Sequence, residues 1–156
     1  MTPHRVKWVS LAVAFGMTLF CVAEARAALG GDAASVASDA DALHGVIHST
    51  PLQQYDIHEI TSGNGMRLRE FLSRSGVVFA VTWSGPAVPD LEKLLGTSFK
   101  TYTAAVAAEN HRGLKRSLRV ATSDLVVESD GHMRAFSGRA YLPALIPAGT
   151  SAADLR

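Results

Sequence analysis

Residues 77–95 read VVFAVTWSGPAVPDLEKLL, and the fold is organised around them. Val77, Phe79, Val81 and Trp83 alternate with Val78, Ala80, Thr82 and Ser84. That period-two split belongs to a strand with its large side chains on a buried face. Ser84-Gly85-Pro86 then turns the chain, and Pro89, at a first helical position, opens a segment with Asp90 and Glu92 in its first turn. Leu91, Leu94, Leu95, Phe99, Tyr102 and Val106 keep helical spacing. Helix is expected to about residue 107, with a break at Gly96, where glycine costs ~1 kcal/mol. The helix is expected to roof the aromatic face of the sheet.

Before this stretch, Ser62-Gly63-Asn64-Gly65 joins two strand-like runs at residues 55–60 and 66–72. A two-residue Asn-Gly loop would set Glu59 opposite Glu70, a like-charge pair that costs energy. A three-residue loop with Gly65 left-handed pairs Glu59 with Arg69, Ile60 with Leu68, Ile57 with Phe71 and His58 with Glu70, and it is preferred. Arg74-Ser75-Gly76 makes the next turn. The same loop geometry sets Phe79 beside Phe71 and Trp83 beside Arg67, completing a three-stranded meander. Residues 29–49 carry Val36, Ala40, Leu43 and Ile47 at helical spacing, which predicts a thin-striped, loosely docked helix. Asp32 caps it, and Thr50-Pro51 stops it.

After the central stretch, residues 109–116 form a polar and basic loop. Strands are expected at 117–121 and 125–129, and Asp130-Gly131 turns into a last strand over 132–142, with a bulge or bend at Gly138. The tail contains Pro143, Pro147 and Gly149. Ser151 and Asp154 have capping-box spacing but room for only one frayed turn. The fold class is α+β: an antiparallel meander sheet packed against one main helix, with an N-terminal helix and a C-terminal hairpin. Helix–three strands–helix–three strands hints at two similar halves, although the residues do not repeat.

The first 27 residues have the layout of a cleaved secretory signal. His4, Arg5 and Lys7 precede an apolar run, and Ala25-Arg26-Ala27 is a small-x-small site. The apolar run is shorter than the ~20 residues of a membrane span. Cleavage after Ala27 leaves a single domain over residues 28–156, with no membrane span and without the chain's one cysteine, Cys21. Disulfides, thiolate nucleophiles and Cys-ligated zinc are then excluded together. Removing Arg5, Lys7, Arg26 and Glu24 from 15 basic and 14 acidic residues leaves 12 and 13. Such a balance argues against nucleic-acid binding, which needs a dense cationic footprint.

Three stretches carry a resemblance: ALGGDAASV after the cleavage site, GVVFAVTWSGPAVPDLEKLLG in the middle and VVESDGHMRAFSGRAYLPALIPAG near the end. Together they resemble a bacterial family known only as domain of unknown function 2844. The resemblance spans essentially the whole chain after the leader. It implies a small exported bacterial protein and supplies no activity, substrate or catalytic residue.

Several residue groups suggest chemistry. His44 and His48 lie four apart, one turn on a helix, with His58 as a third candidate metal ligand. Two exposed histidines at a fraying helix end account for the same spacing. His58 opposite Glu70 suggests an acid–base pair on the sheet surface, or simply a polar cross-strand pair. Ser62, Ser73 and Ser75 lie near it, but none stands in a nucleophile motif. His132, Arg134, Arg139 and Tyr141 form the candidate ligand site. The two arginines have opposite strand parity and share a face only if Gly138 bulges. No cofactor motif is present: neither a phosphate-cradling glycine loop nor a dinucleotide fingerprint. The expectation is an exported, periplasmic or secreted, non-enzymatic protein that binds an envelope protein or ligand through the polar sheet face or an unpaired edge. The alternatives are a hydrolase using His44, His48, His58 and Glu70, and an inhibitor-like module that plugs a partner enzyme with a hairpin loop.

Overall fold

A computed structural model describes residues 29–108 and 117–156. The leader and the loop expected at 109–116 lie outside the described residues. The Asp32 side chain accepts hydrogen bonds from the backbone N–H groups of Ala34 and Ser35 and starts α1 (Ala33–Leu43). The helix ends sooner than its apolar spacing predicts. His44 takes left-handed backbone at φ 47°, and the chain passes directly into β1 (Gly45–Pro51). Gly45 is a poor helix former, and β-branched Val46, Ile47 and Thr50 favour a strand, so pairing with β2 outweighs the weak helical stripe.

β2 (Tyr55–Ser62) and β3 (Arg67–Ser73) adopt the bulged hairpin register: Glu59 lies opposite Arg69, Ile60 opposite Leu68, Ile57 opposite Phe71 and His58 opposite Glu70. Gly65 is left-handed, with φ 87°. β4 (Val78–Gly85) departs from expectation. Phe71 lies opposite Ala80 and Leu72 opposite Val78, so Phe79 is the extra residue of a bulge. The bulge reverses parity. Val81 and Trp83 face one side of the sheet with Val78, whereas Phe79 joins Phe71 and Tyr55 on the other. Trp83 therefore stands opposite Leu68 rather than Arg67. Residues Val78–Trp83 are all buried, and with both faces covered the alternation in size no longer dictates which face is inward.

α2 (Leu91–Leu95), a 3-10 turn at Gly96–Ser98 and α3 (Phe99–Ala108) make the broken helix. Asp90 is the cap, so Pro89 precedes the helix instead of opening it. β5 (Ser117–Ala121), β6 (Val126–His132) and β7 (Ala135–Tyr141) follow. The β6–β7 turn is Met133-Arg134, not Asp130-Gly131. Gly131 stays in the ladder opposite Phe136, where a Cβ would come within 2.6 Å of the Phe136 ring. Its glycine serves packing rather than turning.

All seven strands form one antiparallel sheet in the order β1-β2-β3-β4-β7-β6-β5. The second meander runs back toward the first, placing β7 against β4. One face packs under the helices, with Ile60, Leu68, Val81, Trp83, Val127 and Ala140 beneath Val36, Ala40, Leu94 and Leu95. Half of the other face is covered by the C-terminal tail. There Ser151 and Asp154 complete a capping box around the 3-10 turn Ala152–Asp154, and Leu155, 1% exposed, packs among Tyr55, Phe71, Phe79 and Tyr141. The expected frayed turn is thus a fixed lid, stabilised by burial worth ~1.5–3 kcal/mol for a leucine.

Gly138 does not bulge. Its register with Trp83 and Ser129 is unbroken on both sides. A Cβ there would lie 2.2 Å from Trp83 Cζ2 and 2.6 Å from the Glu128 carbonyl oxygen, so glycine is what lets the indole lie flat on β7. Gly138→Ala is expected to lower stability by ~1–3 kcal/mol through overpacking, measured as an earlier midpoint in urea.

Candidate functional site

The antiparallel register aligns side chains in polar rows across this sheet face, at the border of the tail and beyond it. One row reads Glu59, Arg69, Thr82, Arg139, Glu128 and Arg119 across β2, β3, β4, β7, β6 and β5. Two residues further along each strand, on the same face, the next row reads Thr61, Arg67, Ser84, Ser137, Asp130 and Ser117. The preceding row is apolar, with Ile57, Phe71, Ala80, Tyr141 and Val126, and lies under the tail.

The charged row is nearly symmetric about Thr82. Arg69 Nε donates to Glu59 Oε2 at 2.6 Å, with Arg67 Nε 3.4 Å from the other oxygen. Across Thr82, Arg139 Nε and Nη2 each reach Glu128 Oε2 at 2.6 Å, with Arg119 Nε 3.4 Å from Oε1. Both inner arginines also grip the tail: Arg69 Nη1 donates to the main-chain oxygen of Arg156 at 2.6 Å and Arg139 Nη1 to the carbonyl oxygen of Ala152 at 2.7 Å. Exposed ion pairs of this kind add little stability. Their consequence here is orientation, because each guanidinium is held from two sides.

Between the two arginines, which stand roughly 10 Å apart at two strand spacings, lies a recess of about 330 Å³ with Thr82 in its lining, 8% exposed. Arg67, Arg69, Arg139 and Arg156 line it against Glu128 and Asp130, so the local balance is cationic. A second recess of about 630 Å³ shares Arg67, Ser84 and Ser137 with the first and reaches Asn64 and Arg134 at the hairpin tips. Together they form one groove. Arginine forks flanked by hydroxyls suit carboxylate or phosphate oxygens.

Of the residues the sequence singles out, Arg139 and Arg134 line adjoining parts of this groove. Arg134 reaches it from the turn, at φ 61°, not through a bulge at Gly138. The Arg139 guanidinium lies 5.8 Å from the centre of the Tyr141 ring, which is buried beneath. His132 ends β6 and lines neither recess. The three histidines are not brought together. His44 caps α1, and His48 and His58 occupy rows of opposite parity, with His48 beside Glu59 and His58 Nδ1 2.7 Å from Ser49 Oγ. Among the described residues no group of three His, Cys, Asp or Glu side chains is placed to hold a metal ion. Arg67, Arg69, Thr82, Glu128 and Arg156 were not anticipated as site residues. The Glu59–Arg69 pairing carried the signal for one half of the row, but nothing local announces that β7 lies against β4.

Residues 25–155 match the model of the family described as "Protein of unknown function (DUF2844)". The chain belongs to that family. Neither the curated proteins nor the solved structures contain a match to it. In this DUF2844 chain no helix among the described residues is long and apolar enough to cross a membrane.

The helix-covered face of the DUF2844 sheet holds a second polar feature. Glu70, opposite His58 in register, forms no surface acid–base pair with it. Glu70 is 1% exposed and meets Asp39 of α1. Burial, followed by the hydrogen bond and the charge of Asp39, pushes the Glu70 carboxyl up to about 9. Burial raises Asp39 as well, although a hydrogen bond from Glu70 and the charge of Lys93 draw it back. Asp39 Oδ2 and Glu70 Oε2 find no other partner, and a proton held between the carboxyl groups is the donor the pair lacks. The folded protein therefore keeps a proton that the unfolded chain releases near the ordinary glutamate value of 4.5. With the unfolded state binding fewer protons, this contribution to stability is full below that pH and is lost as pH rises to about 9. Urea titrations are expected to show stability falling across this window, and Glu70→Gln, which cannot titrate, is expected to flatten the fall.

Proposed function

We propose that this chain is an exported, non-enzymatic binding module of the bacterial envelope that holds an anionic ligand in the arginine-lined groove. The observation that carries the reading is the pair Arg69 and Arg139, oriented on either side of Thr82 by Glu59, Glu128 and main-chain oxygens of the tail. Side chains already held in place lose little freedom when a ligand arrives, which favours binding. The groove volume falls in the range of ligand pockets, ~300–1,000 Å³. The export part of the proposal rests on the layout of residues 1–27.

Calorimetric titration with citrate, inorganic phosphate and acidic oligopeptides tests the groove. At least one is expected to bind, more weakly as salt rises, and Arg69→Gln with Arg139→Gln is expected to weaken it about tenfold, the equivalent of 1.4 kcal/mol. Absence of binding by every probe to folded protein would end the reading. Export is tested by fractionating cells that express the full chain. A periplasmic or extracellular product beginning at Ala28 is expected; an uncleaved cytoplasmic product would refute that part.

A further inference from the structure

We infer that the ligand of the groove is an acidic peptide segment of a partner protein, seated in the open half between Arg67 and Arg134. This rests on the reading of the groove as an anion site and narrows its ligand. The first argument is that the groove already holds peptide. The main-chain oxygens of Ala152 and Arg156 accept from Arg139 and Arg69, so one half of the polar face is occupied by backbone of this same chain. The other half continues the polar surface two residues along each strand, with Arg67, Ser84 and Ser137 in place of Arg69, Thr82 and Arg139. An incoming segment would meet the Arg67 guanidinium and the Ser84 and Ser137 hydroxyls, with Arg134 of the turn supplying the second guanidinium. In the direction of the hairpin tips the recess is the larger one.

The second argument is Arg134. It occupies left-handed backbone at φ 61°, where glycine or asparagine is the usual residue and an L side chain is disfavoured. The turn thus carries a backbone penalty, and its side chain lines the open recess opposite the Asn64 loop. Strain of this sort is retained where a side chain has work to do. Arg67, 3.4 Å from Glu59 Oε1, is only loosely engaged by that carboxylate, whereas Arg69 lies on it at 2.6 Å. Asp130 stands in the same row as Arg67 but is separated from it by Ser84 and Ser137. Carboxylates of a partner segment match the excess positive charge at this end, and its backbone matches the chemistry already used by the tail.

Fluorescence anisotropy with a labelled octapeptide alternating aspartate and serine tests the inference, using the purified chain as exported. Glycine–serine and lysine–serine octapeptides and inorganic phosphate serve as competitors. The acidic peptide is expected to bind, and neither other peptide should displace it. Arg67→Gln and Arg134→Gly are each expected to weaken it about fivefold or more. Arg134→Gly also relieves the backbone, so thermal stability should hold or rise while binding falls, which separates a ligand contact from a structural role. Unchanged binding in both variants, or equal binding of the glycine–serine peptide, overturns the inference. If the acidic peptide fails while phosphate or citrate binds and depends on Arg69 and Arg139, the peptide assignment falls and the anion groove stands. If no probe binds, both fall.

Discussion

Strand β4 is buried on both faces, and the rest of the structure follows from how one strand satisfies two cores. The bulge at Phe79 is the device. It sends Val78, Val81 and Trp83 beneath the helices and drops Phe79 through to the aromatic group with Tyr55 and Phe71. Without that extra residue every side chain beyond it would change faces. Trp83 would then lose its bed on Gly138, and Thr82 would leave the centre of the charged row. The fold and the candidate site share this single irregularity.

The groove exists because the tail covers only half of its face. Leu155 fills the apolar end and the polar rows begin where its cover stops. Arg69 and Arg139 stand at the border and bond to main-chain oxygens of the tail, so the lid is held by apolar burial at one end and by charge-assisted hydrogen bonds at the other. The tail is therefore both a cover for the second core and one wall of the groove.

The Asp39–Glu70 pair is the other place where polarity enters the interior. Two carboxyl groups between α1 and the sheet are best accommodated with a proton between them, because burial disfavours their charged forms. The docking of α1 is thus tied to protonation through chemistry that the arginine groove on the opposite face does not share. The first helix has few large apolar side chains, with Val36 and Ala40 its buried aliphatic residues, which gives this polar contact more weight in its seating.

Local chemistry was legible where neighbours in sequence decide the outcome. The Asp32 cap, the bulged Gly63–Gly65 loop with its charge-matched register, the break at Gly96 and the β5 bounds follow from residues a few positions apart. The end of α1 was harder, because a weak helical stripe competes with β1, whose stability comes from pairing with β2. The turn at Met133-Arg134 was concealed by a more typical turn dipeptide, Asp130-Gly131, whose glycine is needed for the Phe136 ring. The candidate site was visible only in fragments, as Arg134, Arg139 and the Glu59–Arg69 pairing. Its assembly depends on β4 meeting β7, strands separated by the helices and a second meander. Sequence alone settled contacts between near neighbours, where turn geometry leaves few choices. The two-sided burial of β4, the role of the tail and the joining of two arginine–glutamate pairs into one row were decided by tertiary packing, because they depend on surfaces that meet only after the distant strands align.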